Sequence, residues 1–320
     1  MNQDMTKSHP NNIQRNTSTE HRVQFYIQQA TSDNTRKAYQ QDIRHFEQWG
    51  GLLPANSQTI IRYLLDHAEH FSSRTLQRRL VALKQFHTYQ GFSDPTAHPL
   101  VQKTMAGIQK THGKPKTKAP AMRLEQLEQC IVSWPATNSV NDARDQALLC
   151  VGFFAAFRGR ELLGVQMEHL SWHDQGLTIL LPKSKTDQTG EGLCVALPIL
   201  HNSVCPVVAL KRWLSRAEIV SGLIFPGISR WGQVRTTAMT LPTLNLIIKA
   251  HAQRCQFEHA ERFSSHSLRR GLATSASAAG ASFKSIMRQG RWRHEGTVLE
   301  YIEEGQQFQD NAINSFYNSS

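Results

Sequence analysis

The chain has 320 residues, of which 39% are hydrophobic, and its formal net charge is +11 at pH 7. This length suits two domains with packed cores, and the charge favours a polyanionic partner. The five scattered cysteines include no Cys-x-x-Cys pair, so they signal neither a disulfide framework nor a zinc site. The longest apolar run, Ala147 to Phe157, is too short to cross a bilayer, and the polar N-terminus lacks a signal core. We therefore expect a cytoplasmic protein without a membrane partner.

The N-terminal part is predicted to be a tail followed by a basic helical domain. Residues 1–19 are polar and rich in Asn, Gln, Ser and Thr, a composition typical of disorder. Residues 20–111 show amphipathic helical patterns with short connections, which favours a compact helical domain. Four helices are predicted, the first three starting at or near the caps Ser32, Ser57 and Ser73 and the fourth at about Pro99.

The basic residues of this part concentrate on its third helix. From residue 20 to residue 118 the chain has 14 lysines and arginines against seven acidic residues. We expect the third helix to lie in a major groove of DNA, although a charged face that only contacts solvent would show the same pattern. Its basic side chains, expected to point largely outward, are Arg74, Arg78, Arg79 and Lys84. The second helix is predicted to turn Ile60, Ile61, Leu64 and Leu65 inward.

Residues 112–120 are predicted to be a basic linker. Pro and Gly interrupt the helical pattern in this stretch. It contains three lysines within five residues, namely Lys114, Lys116 and Lys118. Lysines at this density suit a strap across a phosphate backbone.

The second domain, residues 121–320, is predicted to combine helices with one β-hairpin. Strands over Gly176–Leu181 and Leu193–Leu197 flank a long polar loop. A nearly all-apolar helix over Asp142–Phe157 is expected to be buried. The other predicted helices cover Leu124–Ser133, Pro206–Ala217, Leu241–Arg254, Ser267–Ala279, Phe283–Gln289, the surroundings of Tyr301, and a last amphipathic segment, Phe308–Phe316.

Several common catalytic motifs are missing from the sequence. It has no Gly-x-x-x-x-Gly-Lys loop, no Gly-x-Gly-x-x-Gly, no His-Glu-x-x-His and no clear acidic cluster for paired magnesium ions. Phosphoryl chemistry in this chain would therefore need neither a cofactor nor a metal. The stabilisation of charge would then depend on Arg, Lys and His side chains.

Two arginine-containing patterns point to an anion site. Arg158 directly follows the apolar helix, where a charge is costly unless it is paired or bound to a ligand, and Glu161 lies on the same helical face. His266 and Arg269 share one face at the start of another helix. Guanidinium groups suit phosphate because their planar fork donates two parallel hydrogen bonds. A structural ion pair, and a capping histidine beside a surface arginine, would give the same two patterns.

Together these patterns resemble the catalytic domain of the tyrosine recombinases, also called the lambda-integrase family. Ala-Phe-Arg158-Gly-Arg-Glu161-Leu resembles the first arginine box of the family. His266-Ser-Leu-Arg269-Arg-Gly-Leu-Ala-Thr resembles its His-x-x-Arg box. A further box places a His or Trp nine residues before the nucleophilic tyrosine, and Gln-Gly-Arg-Trp followed nine residues later by Tyr301 resembles it. The tryptophan in this box is most similar to the Cre-like branch.

The resemblance implies a two-domain DNA clamp. Its fold would be mainly α, with a small antiparallel β-sheet in the catalytic domain and a helical core-binding domain over residues 20–111. The implied activity is site-specific cutting and rejoining of duplex DNA without ATP. The enzyme would bind a site as a homodimer, pair two sites in a homotetramer, and exchange strands through a Holliday junction. In such proteins the terminal helix often docks on a neighbouring subunit, and Phe308–Phe316 would either do so or pack on its own domain.

The resemblance also implies roles for the site residues. Tyr301 would attack the scissile phosphorus and form a 3′-phosphotyrosine. Arg158 and Arg269 would hold the non-bridging oxygens as charge develops. His266 would donate to the phosphate or accept the tyrosine proton, and Trp292 would offer its indole N–H to a phosphate oxygen. The supporting carboxylate, which would hold this geometry, is that of Glu161.

The proton of the leaving 5′-oxygen would come from a lysine in the hairpin turn. We select Lys185, which precedes a threonine at the hairpin tip, over Lys183, and a solvated loop lysine would look alike. His294 fits the histidine or tryptophan position less well because it precedes the tyrosine by only seven residues. Tyr317 has no motif around it. The sequence does not separate DNA contacts from surface charge at Arg270, Arg291 and Arg293.

Two other functions remain open at this point. A type IB topoisomerase-like enzyme would use the same chemistry as a monomer, without a partner site. A DNA-binding protein with a degenerate catalytic domain is the other alternative. The separate basic helical domain and the terminal amphipathic segment argue against the topoisomerase, and the presence of every catalytic residue type argues against degeneracy.

Overall fold

The structure is a computed structural model that describes residues 19, 21–23, 25–27, 30–115, 117–134, 139–182, 192–306 and 313. The chain divides into two compact units, Met1–Lys116 and Thr117–Ser320. The division falls inside the stretch predicted to be a linker. Within the described part of the chain, no helix has both the length and the apolar character needed to cross a membrane.

The first unit is helical and encloses its own core. Its principal helices are α1 (Asp33–Gln48), α2 (Ser57–His67), α3 (Ser73–Tyr89) and α4 (Pro99–His112). The side chains of Ser32, Asn56 and Ser72 cap the first three by accepting a hydrogen bond from the backbone three residues on. The caps predicted at Ser57 and Ser73 are therefore one residue too late. Residues on all four helices form the core: Phe46, Ile60, Tyr63, Leu64, Leu76, Leu80, Leu83, Val101, Met105 and Ile108.

Leu65 does not lie in this core, although the sequence predicted that it would. Its side chain is 58% exposed, whereas Tyr63 is fully buried. The inward face of α2 consists of Ile60, Tyr63 and Leu64, which follow the i, i+3, i+4 spacing of one helical face. Leu65 is one residue beyond that face and points to solvent.

Arg79 also differs from the prediction, because it points inward. It is 7% exposed, and its guanidinium donates to the Tyr63 hydroxyl at 3.0 Å and lies 3.6 Å from the Asp42 carboxylate. Asp42 is buried as well and accepts two hydrogen bonds from Arg78, at 2.8 and 2.7 Å. Arg79 falls on the same face of α3 as Leu76 and Leu83, and Asp42 on α1 compensates its buried charge. Arg79 therefore ties α1, α2 and α3 together.

The second unit contains the remaining helices. They are α5 (Leu124–Val132), α6 (Val140–Phe154), α7 (Gly159–Leu163), α8 (Pro206–Arg216), α9 (Leu241–Arg254), α10 (Ser265–Ala278), α11 (Phe283–Gly290) and α12 (Glu295–Gln306). The apolar helix α6 is buried, as predicted, and packs against α8 and α10. It forms the centre of the core of this unit.

Two small antiparallel sheets complete the unit. The predicted hairpin is confirmed as β2 (Gly176–Leu181) paired with β3 (Leu193–Pro198), and β1 (Leu170–His173) adds a strand on the other side of β2. Its loop residues 183–191 lie outside the described residues. A second pair, β4 (Pro226–Ile228) with β5 (Val234–Ala238), was not predicted.

A close backbone approach places α10 beside the start of the unit. A Cβ atom on Gly271 would lie 1.7 Å from the carbonyl oxygen of Met122, so a larger residue does not fit. The Met122 N–H also donates to the Ser267 carbonyl at 3.0 Å. This packing fixes α10, which carries the His-x-x-Arg pattern, next to α6.

Candidate active site

The first arginine pattern forms a compact ion pair at the end of α6. Ala156 adopts a left-handed backbone conformation with φ of 47°, which ends the helix and turns the chain toward Arg158. Glu161 in α7 accepts a hydrogen bond from the Arg158 backbone N–H at 2.9 Å and another from its guanidinium at 2.6 Å. The Arg158 side chain is 29% exposed, so it remains open on one side.

Glu161 is a buried carboxylate held by cations. Burial by itself would raise its pKa, but the hydrogen bonds from Arg158 and the charges of Arg158 and Arg291 together lower it below the ordinary value. The Arg291 guanidinium lies 3.5 Å from the second carboxylate oxygen. Glu161 is therefore ionised at neutral pH and fixes the orientation of Arg158.

Arg269 reaches the same place from α10. It is 4% exposed, and its guanidinium donates to the carbonyl oxygen of Ala156. Among the described residues its buried Nη2 has no hydrogen-bond partner. Burial, followed by the nearby charges of Arg158 and Arg291, lowers the pKa of Arg269 to about 9, so the group stays charged at neutral pH. A buried cation with a free donor is suited to receive an anion.

His266 lies one helical turn before Arg269, in the first turn of α10. Its side chain is exposed, in contrast to the buried Ser267 and Leu268 that follow it. Ser264 is the N-cap of this helix, and its backbone N–H donates to the Ser267 hydroxyl at 3.0 Å. His266 therefore remains accessible to solvent, one turn before the buried Arg269.

Trp292 connects the arginine cluster to Tyr301. The Arg269 guanidinium carbon lies 4.3 Å from the centre of the Trp292 ring, a cation–π distance. The Trp292 and Tyr301 rings meet edge to face with centroids 6.1 Å apart, and both pack on a small apolar cluster of α10, α11 and α12. A Cβ on Gly290 would lie 1.7 Å from the Trp292 ring, so only glycine leaves room for it.

Tyr301 is held by both its backbone and its ring. Thr274 on α10 donates its hydroxyl to the Tyr301 carbonyl at 3.1 Å, which ties α12 to α10. The Arg270 guanidinium carbon lies 5.2 Å from the centre of the Tyr301 ring, and the same guanidinium donates to the carbonyl oxygen of Ala119. Lys118 is ion-paired with Glu300, the residue before Tyr301. The first residues of the second unit thus contact the helix that carries Tyr301.

The structure brings Arg158, Glu161, Arg269, Trp292 and Tyr301 into one contiguous cluster. Some other predicted residues are exposed, namely Arg74, Lys84, Lys114 and the rival His294. Others lie outside the described residues, namely Lys183, Lys185, Lys116, Tyr317 and, except for Ile313, the segment Phe308–Phe316.

Two arginines that the sequence left unassigned belong to the cluster. Arg270 is 4% exposed and Arg291 is 9% exposed, so neither is a free surface charge. The sequence signal that could have identified them is their position next to a predicted site residue, because Arg270 directly follows Arg269 and Arg291 directly precedes Trp292. Arg293 is exposed and stays without an assigned role.

The cluster combines surplus positive charge with a phenol. Arg158 and Arg291 flank the carboxylate of Glu161, and Arg269 lies within electrostatic reach of all three. The described residues hold no group of three or more His, Cys, Asp or Glu that could bind a metal ion. A site of this kind can bind a phosphate through guanidinium groups beside a tyrosine.

Comparisons with known proteins identify the family of this chain. Residues 121–307 match the model of the phage integrase family, and residues 23–90 match that of the phage integrase N-terminal SAM-like domain. An integrase/recombinase XerD homolog of Selenomonas ruminantium is 35% identical over 301 residues, covering 91% of this chain and 88% of that protein.

Solved structures show the same fold at lower identity. XerH site-specific recombinase in a post-cleavage complex with its difH substrate matches with a TM-score of 0.62 and 18% identity, over 83% of this chain and 74% of that one. A lambda integrase dimer bound to a core site matches with a TM-score of 0.57 and 12% identity, over 92% and 98% of the two chains. These neighbours confirm the mainly helical architecture with small antiparallel sheets.

Proposed function

The chain belongs to the phage integrase family, and from that premise we propose that it is a site-specific tyrosine recombinase that cuts and rejoins duplex DNA. The observation that carries the proposal is one cluster in which Arg158 pairs with Glu161 and Arg269 binds the nearby Ala156 carbonyl. Trp292 joins Arg269 to Tyr301 in the same cluster. This arrangement offers an anion site and a nucleophile in one place. The cluster takes residues from all three sequence boxes, the first of which lies far before the other two in the chain.

Cleavage would proceed by attack of the Tyr301 hydroxyl oxygen on the scissile phosphorus. A phosphorus–tyrosine bond forms, the bond to the 5′-oxygen breaks, and the phosphate stays attached to the 3′ side. Arg158 and Arg269 stabilise the charge that develops on the non-bridging oxygens. Trp292 supports the same phosphate through its indole N–H, and His266 donates to it or accepts the tyrosine proton.

Rejoining reverses this step with a different strand. The 5′-hydroxyl of the partner duplex attacks the phosphotyrosine and releases Tyr301, so the number of phosphodiester bonds is conserved and no ATP is required. Exchange of one strand pair gives a Holliday junction, and exchange of the second pair resolves it. Lys185 protonates each leaving 5′-oxygen in this scheme.

DNA binding is assigned mainly to the basic N-terminal part. We propose that residues 20–111 grip the site as a core-binding domain and that residues 112–120 cross the backbone. The exposed Arg74 and Lys84 of α3, and Lys114, are the best-supported contacts. Arg79 is excluded from this set because its guanidinium is buried.

Assembly follows from the chemistry, since strand exchange requires two sites. We propose a homodimer on each site and a homotetramer when two sites pair. The amphipathic segment Phe308–Phe316 is the proposed contact with a neighbouring subunit.

A nicked suicide substrate tests the proposal. DNA repeats flanking the gene supply candidate sites, and a nick beside the cleavage position lets the short fragment diffuse away after attack. The wild-type protein should form a covalent adduct that survives denaturing electrophoresis, and Tyr301→Phe should form none.

The matched control is Tyr317→Phe, which removes the other C-terminal tyrosine and should leave the adduct intact. An adduct with Tyr301→Phe would refute the assigned nucleophile. Relaxation of a supercoiled plasmid that lacks the flanking repeats, by monomeric protein, would instead favour a topoisomerase-like activity.

A further inference from the structure

Arg291 occupies an unusual backbone position directly before Trp292. Its φ is 55°, in the left-handed region that favours glycine. A long side chain there costs conformational free energy, and in this structure that side chain is 6% exposed. The position therefore combines backbone strain with burial of a charge, and both need compensating interactions.

The Arg291 guanidinium binds buried carbonyls just after the end of α6. It donates to the carbonyl oxygen of Ala155 at 3.0 Å and of Ala156 at 3.2 Å, and to Gln289 at 2.9 Å. The Gln289 side chain donates to Phe154 at 2.8 Å. The last carbonyls of a helix lack partners inside it and carry partial negative charge, so a cation stabilises them.

The same guanidinium touches the groups on which the two phosphate-binding arginines depend. It lies 3.5 Å from one oxygen of Glu161, whose other oxygen binds Arg158. It shares the Ala156 carbonyl with Arg269. Its carbon lies 4.9 Å from the centre of the Phe157 ring, the residue immediately before Arg158.

We propose that Arg291 is a positioning residue that fixes Arg158, Arg269 and Trp292 toward the scissile phosphate without contacting DNA. This inference rests on the proposed recombinase function. Burial separates this role from a direct DNA contact, and the lowered pKa of Arg291, caused first by burial, fits a cation confined inside the protein. Arg291 joins the turn before the first arginine box to the box that precedes Tyr301.

Two substitutions separate positioning from folding. Arg291→Gly relieves the left-handed backbone but removes the guanidinium, so the fold should persist while the arginines lose their alignment. Arg291→Lys keeps the charge, but one ammonium lacks the planar fork that reaches several carbonyls. Melting curves and far-ultraviolet circular dichroism report folding, and if the glycine variant fails to fold, the lysine variant carries the test.

Two quantities are measured for each variant. The first is the single-turnover rate of adduct formation on the nicked substrate at saturating DNA, and the second is the dissociation constant of the protein–DNA complex. We expect the rate to fall about 10- to 100-fold in both variants, because small misplacements of aligned groups cost this much. The dissociation constant should change less than about twofold, since no DNA contact is lost. Tryptophan fluorescence should shift with the displaced Trp292.

Arg293→Ala is the matched control on the other side of Trp292. Arg293 is exposed, so its loss should leave the rate at saturating DNA unchanged. The proposal is wrong if Arg291→Gly forms adduct at the wild-type rate. It is also wrong if the dissociation constant of the DNA complex rises while the rate of adduct formation at saturating DNA stays unchanged. Failure of the wild-type protein to form any adduct refutes the recombinase function itself and is distinguishable from both outcomes.

Discussion

Glu161 is the carboxylate on which two guanidinium groups of the site, those of Arg158 and Arg291, converge. Taking a carboxylate out of water is costly, and the cost is offset only when cations and donors surround it. Glu161 has Arg158 on one oxygen and Arg291 near the other. It thus keeps two arginines close together that would otherwise repel each other.

Glu161→Gln should destabilise the fold in a pH-dependent way. The pKa of Glu161 in the folded protein lies below its ordinary value of 4.5, so its stabilisation is present above pH 4.5 and is lost as pH falls further. At pH 7 we expect a loss of roughly 3 kcal/mol, the usual cost of breaking a buried ion pair. Urea unfolding at pH 7 should show this difference, and the gap between variant and wild type should narrow below pH 4.5.

Glu168→Gln is the control for this effect. Glu168 also has a lowered pKa, chiefly from the backbone N–H of Gly222, but it is fully exposed. Its substitution should leave the unfolding curve nearly unchanged at every pH. A gap for Glu161→Gln that is constant from pH 7 to pH 4 would contradict the ion-pair explanation.

Contacts between individual residues are predictable from the sequence where the two partners are close together in the chain. Arg158 and Glu161 are three residues apart on one helical turn, so their pairing was foreseeable. Arg79 and Arg291 were not foreseeable, because their burial depends on distant partners. Two of the carbonyls that accept from Arg291 are 135 and 136 residues earlier in the chain. An arginine at the surface and an arginine inside a core look identical in sequence.

The β2–β3 hairpin is the element that delivers the proposed general acid. Its strands pair in continuous register from Gly176 with Pro198 to Leu181 with Leu193. Leu177, Ile179, Val195 and Leu197 anchor it in the core. The two ends of the loop that contains Lys185 are thereby fixed.

Lys185→Ala should slow cleavage because the leaving 5′-oxygen loses its proton donor. We expect a loss of about 10²- to 10⁴-fold in the rate of adduct formation, the range for general acid catalysis. A substrate with sulfur in place of the bridging 5′-oxygen supplies a better leaving group that does not need protonation. The rate with this substrate should be nearly equal in wild type and variant.

Lys183→Ala is the matched comparison within the same loop. It should cleave the ordinary substrate at close to the wild-type rate. If Lys183→Ala shows the large defect and the sulfur rescue, the general acid is Lys183. If neither variant shows them, the acid is not in this hairpin.

Helices and strands were predictable from the sequence where their apolar and polar residues alternate with a regular period. The helices α9 and α10 have clear apolar periodicity and were located to within two residues. The strand β5 was missed because all five of its residues are exposed, so it shows no alternation of apolar and polar side chains. Its pairing with β4 depends on the chain reversal between them rather than on burial.

Each unit of the molecule builds its own core, and the active-site cluster lies entirely in the second one. Among the described residues, every member of the cluster belongs to the second unit. We therefore expect some variants to change the affinity for DNA without changing the cleavage chemistry, and others to do the reverse. Control of cleavage must then act on the second unit, either through its first residues, which contact the Tyr301 helix, or through its C-terminal segment.

Removal of the residues after Gln306 tests whether the C-terminal segment acts between subunits. The truncated chain keeps Tyr301 and the DNA-binding part, so it should bind its site but form adduct poorly if the segment must dock on a neighbour. Full-length Tyr301→Phe is inactive yet supplies the segment. Mixing the two should therefore restore adduct on the truncated subunit, which its smaller size identifies on a denaturing gel. No gain over the separate proteins would show that Phe308–Phe316 serves its own subunit, because docking within one chain cannot be complemented.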